Sequence, residues 1–301
     1  MQRRFTTLDV FTAERFAGNP LAVVHDSEGL DSKRMQAIAR EFGLPETVFI
    51  HPAADPAHSA RLRIFTPAAE LPFAGHPTVG TAALLALMNK DSAPVHHLLL
   101  EEEIGLVHCD AVTRGADLAH ARFKLPVLPR MDAWEADPSA IAAALSFAPE
   151  DVGCVGFGPE KWSAGVDICL VPVNGLSALA RVRPDISRWQ DGFGTSGARV
   201  VYLFTPQNST ASGNTFRARM FAPLLGVPED PATGAAAAAF AGLLAARGSF
   251  SSGTHNIAIE QGYEMGRPSM IHLEMQIDGG ELTAASIAGD AVIVTEGTLN
   301  T

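Results

Sequence analysis

No window of this chain offers the roughly 20 consecutive uncharged apolar residues that would cross a bilayer. No basic stripe is present to meet nucleic acid or an anionic membrane surface, so neither is expected as a partner. Cysteine is scarce: Cys109, Cys154 and Cys169 are an odd number at wide spacing. They match neither a disulfide framework nor a metal site and are expected as buried thiols in a reducing cytoplasm. The ten histidines are scattered, without the paired helical spacing of a zinc site. No metal is expected. Two arginines near the N-terminus are not followed by an apolar stretch of signal-peptide length, which again points to the cytoplasm.

What remains is the composition of a soluble globular protein: 301 residues, 47% hydrophobic and 18% charged, with a net charge of −11. That length suffices for one large domain or two ordinary ones. The acidic balance speaks to solubility and to little else.

A pattern recurs along the chain. Arg61-Leu-Arg-Ile-Phe-Thr-Pro67 is followed by a loop, by His76-Pro-Thr-Val-Gly80 and by the apolar "TAALLALMN". Arg217-Ala-Arg-Met-Phe-Ala-Pro223 is followed by a loop, by Asp230-Pro-Ala-Thr-Gly234 and by "AAAAAFAGLLAARG". The offset is 156 residues at the arginines and 154 at the His/Asp position, about half the chain. Such self-similarity predicts a duplicated unit. The alternation in "RLRIF" and "RARMF" is that of half-buried strands, ended by Pro67 and Pro223. Pro77 and Pro231 sit where a first helical residue needs no N–H. Asp230 then falls at the N-cap, with His76 in the matching place.

Residues 79–88 and 235–246 are apolar almost all round, and too short to span a membrane, so each is expected as a central helix enclosed by protein. The remainder is rich in short strand-like runs with Gly, Pro, Asn and Asp punctuation. Of the few amphipathic helices, residues 31–44 are one, and residues 138–151 are a candidate for its partner in the second half.

Two helix N-termini of this kind present backbone N–H groups to an anion such as a carboxylate. If the halves face one cleft, both mouths serve one ligand, with His76 and Asp230 opposed. A third feature is Glu46 in "EFGLPETVFI", where a carboxylate opens an apolar strand. Partial desolvation there would raise its pKa towards the range of general acid–base work. Each residue has a plainer alternative: Glu46 facing solvent on an alternating strand, His76 and Asp230 as simple caps. The second-half segment aligned with Glu46 lies near "TSGARVVYLF", which carries no acid. That asymmetry suits one group carrying a proton between two positions of a substrate better than a matched pair of bases.

"LDVFTAERFAGNPLAVV", "GLPETVFI", "RLRIFTPAAELPFAGHPTVG", "EDPATG" and "QGYEMGRPSMI" together resemble the phenazine-biosynthesis PhzF-like family, whose fold is that of diaminopimelate epimerase. The match runs through both halves. The resemblance implies an α+β protein of two pseudo-symmetric domains, each a β-barrel-like mixed sheet around a buried helix. The first half comprises residues 1–118 with returning strands at about 285–301, and the second residues 119–284. It implies a cofactor-independent isomerase, a homodimer, with its active site between the domains. By resemblance Glu46 is the acid and base, and His76 and Asp230 hold and polarise a small carboxylate-containing substrate. Gly75, Thr233, Gly234 and Ala235 line its binding site. Many relatives carry Ser where this chain has Pro45 and Ala235, which removes two hydroxyl donors and points to a different substrate.

Two other readings stay open. A two-base epimerase of the same fold needs a second base, and the candidate thiols lie away from the repeated motifs. A non-catalytic protein can hold a carboxylate at the same place without turnover.

Overall fold

The computed structural model describes residues 1–89, 93–154, 156–207 and 214–301. The chain divides into two compact units, Met1–Pro126 with Ile287–Thr301, and Val127–Ser286. The first unit contains β1 (Gln2–Val10), β2 (Asn19–Val24), α1 (Ser32–Phe42), β3 (Glu46–His51), β4 (Ala60–Phe65), β5 (Glu70–Leu71), α2 (Gly75–Met88), β6 (His96–Glu102), β7 (Gly105–Thr113) and β8 (Leu118–Lys124). The second contains β9 (Arg130–Asp132), α3 (Pro138–Leu145), β10 (Glu160–Ser163), β11 (Asp167–Pro172), α4 (Leu176–Arg181), α5 (Trp189–Phe193) and β12 (Val200–Pro206). It continues with β13 (Asn214–Ala222), β14 (Val227–Asp230), α6 (Gly234–Arg247), β15 (Gly253–Gln261) and β16 (Ser269–Asp278). The long last strand, β17 (Glu281–Asn300), carries the chain from the second unit back into the first.

In the first unit the ladders close on themselves. β1 pairs with β2, β2 runs parallel to β3, β3 pairs with β4, and β4 runs parallel to β6. β7 and β8 follow, β8 pairs with β17, and β17 returns to β1. Eight strands thus form a ring without a free edge, which removes the row of unpaired N–H and C=O groups an open sheet exposes. The ring explains why the first unit runs to Pro126 rather than to residue 118: β8 is needed to close it.

α2 lies inside this ring, packed on β1, β2, β3, β7 and β8. All its residues from Gly75 to Leu84 are buried, which is why the sequence gives it no polar face. The approach is close at Gly80, where a Cβ would stand 2.6 Å from Leu21 Cδ2 and 2.7 Å from Val10 Cγ2.

The second unit repeats the order of pairings. β10 is antiparallel to β11, β11 parallel to β12, β12 antiparallel to β13, β13 parallel to β15, and β15 antiparallel to β16. α6 packs on β9, β10, β11 and β16 and is buried from Ala236 to Leu244. Its Phe240 meets Phe204 at 4.6 Å and Phe216 at 5.0 Å between ring centroids.

Register decides which residues correspond. Phe49 pairs with Arg63 as Leu203 pairs with Arg219, so the R-x-R-x-F segments occupy the same place in both units. Beyond the following loop the correspondence differs from that expected. Leu71 pairs with Ile64, and Asp230 with the matching Met220. Asp230 therefore corresponds to Leu71 and not to His76.

The expected caps also shift. α2 starts at Gly75 with Ala74 as N-cap, so His76 and Pro77 lie within its first turn. α6 starts at Gly234 with Thr233 as N-cap, so Asp230 is no N-cap and Pro231 no first helical residue. The Pro ring pushes the residue before it out of the helical region, and Asp230 stays extended as the end of β14. The structural counterpart of His76 is Ala235, each one residue into its helix. The helix expected over 138–151 forms at Pro138–Leu145, but it precedes β10. The stretch that corresponds to α1, between β11 and β12, holds α4 and α5 instead.

Candidate active site

Glu46 is the first residue of β3. The preceding helix α1 stops at Gly43, whose left-handed φ of 61° lets its N–H close on Ala39. Leu44-Pro45 then turns the chain into the strand beside Leu21 of β2. This places a half-buried carboxylate against the first turn of α2, where His76 Nε2 stands 3.5 Å from Glu46 Oε2.

His76 is buried, with 5% of its side chain exposed. Burial pushes its pKa down to about 3, opposed by a hydrogen bond to the backbone of Pro20. Proline has no N–H, so that bond runs from an imidazole N–H to the Pro20 carbonyl. Nε2 has no hydrogen-bond partner among the described residues, which assigns the donor as Nδ1 and leaves the lone pair on Nε2. His76 is therefore neutral at physiological pH, and its contact with Glu46 is not an ion pair. A lone pair and a carboxylate oxygen face each other, and a proton between them satisfies both.

In the second unit the mouth of α6 is arranged differently. The Asp230 carboxylate accepts the Thr233 hydroxyl at 2.5 Å. Gln261, at the end of β15 and fully buried, donates from Nε2 to the Asp230 carbonyl at 2.8 Å and to Thr233 Oγ1 at 3.0 Å. Its Oε1 accepts the Thr233 N–H at 3.2 Å. The Thr233 hydroxyl is spent on Asp230, and neither Ala74 nor Thr233 makes a side-chain cap bond. Both helices thus begin with backbone N–H groups that no capping side chain covers, the arrangement that favours anions. Tyr202 stands near Asp230 with its hydroxyl buried, and burial and then the Asp230 charge raise its pKa.

Glu46, Gly75 and His76 thus meet in the first unit, and Asp230, Thr233, Gly234 and Ala235 in the second. The counterpart of Glu46 is Val200, since Leu21 pairs with Glu46 as Ile168 pairs with Val200. The thiols are poor bases: burial pushes Cys154 up to about 11 and Cys169 to about 12, and raises Cys109 as well. Sequence reasoning missed Pro20 and Gln261, although both fall in quoted motifs, "AGNPLAVV" and "QGYEMGRPS". A backbone carbonyl acceptor leaves no side-chain signal, and Gln261 is informative only once β15 is known to end there.

A mixed α+β unit built round a buried helix, with an acid at the mouth, sets the class of fold, and comparison narrows it. The family of phenazine biosynthesis-like proteins matches residues 8–297. An uncharacterised isomerase of Mesorhizobium japonicum is 47% identical over 99% of this chain and 98% of its own. The trans-2,3-dihydro-3-hydroxyanthranilate isomerase of Pseudomonas aeruginosa is 34% identical over 98% of both chains. A PhzF-family protein of Bacillus anthracis superposes with a TM-score of 0.87 over the whole of both chains, at 23% identity. The chain belongs to the phenazine biosynthesis-like (PhzF) family and is an isomerase.

Proposed function

We propose that this isomerase moves a proton within a small carboxylate-bearing metabolite, with Glu46 as the single general acid and base. The observation that carries the reading is the neutral His76 Nε2, 3.5 Å from the Glu46 carboxylate at an uncapped helix mouth. A substrate hydroxyl or amine donating to Nε2 lies beside the carboxylate that takes its neighbouring C–H proton. Backbone N–H groups of Gly75 and Gly234 hold the substrate carboxylate. Asp230, with Thr233 and Ala235, completes the binding groups, and the two mouths serve one substrate in the cleft expected between the units.

Val200 as the second unit's counterpart of Glu46, together with thiols held well above neutral pH, supports one base over two. The enzyme on this reading is a cytoplasmic homodimer that uses no cofactor. Its substrate class includes trans-2,3-dihydro-3-hydroxyanthranilate, which the P. aeruginosa relative is named for. Pro45 and Ala235 argue for a variant of that ring lacking partners for two hydroxyl donors.

The test is deuterium uptake from heavy water into trans-2,3-dihydro-3-hydroxyanthranilate and related cyclic amino acids. Wild type exchanges, and Glu46→Gln is slower by about 10²–10⁴-fold, the usual contribution of a general base. Equal exchange in the two proteins would sink the assignment.

A further inference from the structure

The run Glu101-Glu102-Glu103 at the end of β6 contains a carboxylate that the proposed reaction does not use. Glu101 and Glu102 lie on opposite sides of the strand. Glu101 is held by the N–H groups of Ala54 and Asp55 and by His58, and these push its pKa down to about 2, Asp55 contributing most. Glu102 points inward and is 8% exposed. Its Oε1 lies 2.7 Å from Thr78 Oγ1, in the first turn of α2, and its Oε2 is buried with no hydrogen-bond partner among the described residues.

Thr78 decides the protonation. Its Oγ1 also stands 2.8 Å from the carbonyl of Ala74, the N-cap of α2. A hydroxyl has one hydrogen. If it goes to the carbonyl, the second contact is a hydrogen bond only when Glu102 carries the proton and donates it. If Glu102 is ionised, the hydroxyl turns to it, and a buried charge keeps one oxygen without a partner.

The second unit supplies the comparison. Arg61 pairs with Glu101 as Arg217 pairs with Glu260, so the next residues, Glu102 and Gln261, occupy the same position. Gln261 binds the mouth of α6 with one donor group and one acceptor. A protonated Glu102 offers the same set; an ionised one offers acceptors only.

We propose that Glu102 is a positioning residue that works as a neutral acid, fixing the first turn of α2, with Gly75 and His76, through Thr78, and that its ionisation releases that turn. Burial pushes its pKa up to about 8, with the Thr78 hydroxyl pulling the other way. From β7, Cys109 faces it as a thiol that burial and the charges of Glu102 and Asp110 raise. From α2 it meets Thr78, and the next ionisable group on that turn, His76, is neutral. The consequence for catalysis rests on the proton-shift reading above; the protonation state does not.

Two arms keep these apart. Carbon-13 NMR of the glutamate carboxyls in the full chain, with Glu102 assigned by the signal missing in Glu102→Gln, should show a midpoint near 8. A midpoint below about 5 overturns the proposal whatever the reaction is. Deuterium uptake into trans-2,3-dihydro-3-hydroxyanthranilate is then followed from pH 6 to 9.5. Wild type should lose at least threefold between pH 7 and 9, Glu102→Gln should stay within threefold of wild type at pH 7 and lose the alkaline fall. Thr78→Val should move the Glu102 midpoint upward, since the hydroxyl that pulls it down is gone, and uncouple exchange from it. An alkaline limb unchanged in Glu102→Gln, or a loss beyond tenfold at pH 7, refutes positioning by the neutral acid.

Discussion

The two units contain the same arginine–glutamate pair at two depths, which makes a controlled experiment. In the second, Arg219 Nε and Nη2 meet Glu229 at 2.7 and 2.8 Å, and Nη1 donates to the carbonyls of Leu179 and Val182 at 3.0 and 3.2 Å. The arginine is 4% exposed. In the first, Arg63 meets Glu70 at 2.6 Å through both Nε and Nη2, and Ser32 at 2.9 Å, with about a quarter of each side chain exposed. Arg219→Met strands a half-buried carboxylate and two carbonyls at a buried site, a loss of about 3–5 kcal/mol. Arg63→Met leaves groups that water reaches, at about 0.5–1 kcal/mol. For a chain of this size each kcal/mol moves the melting temperature by about 2–4 °C, so Arg219→Met should lower it by about 6–20 °C and Arg63→Met by at most a few. Circular dichroism melts give both values. The double variant Arg219→Met/Glu229→Leu should recover most of the loss, because the stranded charge is gone. Equal effects at Arg63 and Arg219, or a double variant no better than Arg219→Met, would refute burial as the cause. The outcome bears on function, since Glu229 directly precedes Asp230.

Burial also sets two pH dependences of opposite sign. His76, held down from 6.5 to about 3, contributes stability that is complete above about 6.5 and is lost as pH falls through 3; the urea midpoint advantage of wild type over His76→Gln should shrink between pH 7 and 4, and a constant difference contradicts a neutral buried imidazole. Glu102, raised from 4.5 to about 8, contributes stability that is complete below about 4.5 and is lost as pH rises through 8; wild type should lose roughly 4–5 kcal/mol against Glu102→Gln over that span, and parallel stability curves would count against it. Gly242→Ala adds helix propensity worth about 1 kcal/mol, yet its Cβ would stand 2.4 Å from the Trp162 ring and 3.0 Å from Pro129, so the melting temperature should fall; a rise would show that β10 yields easily.

Much of the architecture was legible because it follows from period and punctuation. "RLRIF" and "RARMF" are strands in matching register, and the two charge-free segments are enclosed helices because nothing else could hide them. The absence of an acid at the second-half counterpart of Glu46 was legible as well and resolves to Val200. Less legible was anything decided by a partner far along the chain. The carbonyl of Pro20, which fixes the tautomer of His76, leaves no trace in the motif around His76. Glu102 was visible only as the middle of three glutamates, and an alternating strand must turn one or more of these inward.

The two X-Pro steps show where local rules stop. The residue before a proline is pushed towards extended backbone. Asp230 obeys: it ends β14, and three residues follow before α6 begins. His76 stands before Pro77 and is helical nonetheless, because α2 starts one residue earlier, inside a closed ring, with the imidazole buried and bound to Pro20. Pro77 is tolerated there since the first turn of a helix leaves its N–H groups without intrahelical partners. Aligning the chain on His-Pro and Asp-Pro therefore matches residues with opposite backbone conformations. Aligned instead on strand register, His76 meets Ala235 and Asp230 meets Leu71, so each mouth carries one polar residue where the other carries an apolar one. The two mouths therefore differ in side-chain chemistry although their helices start at matching positions.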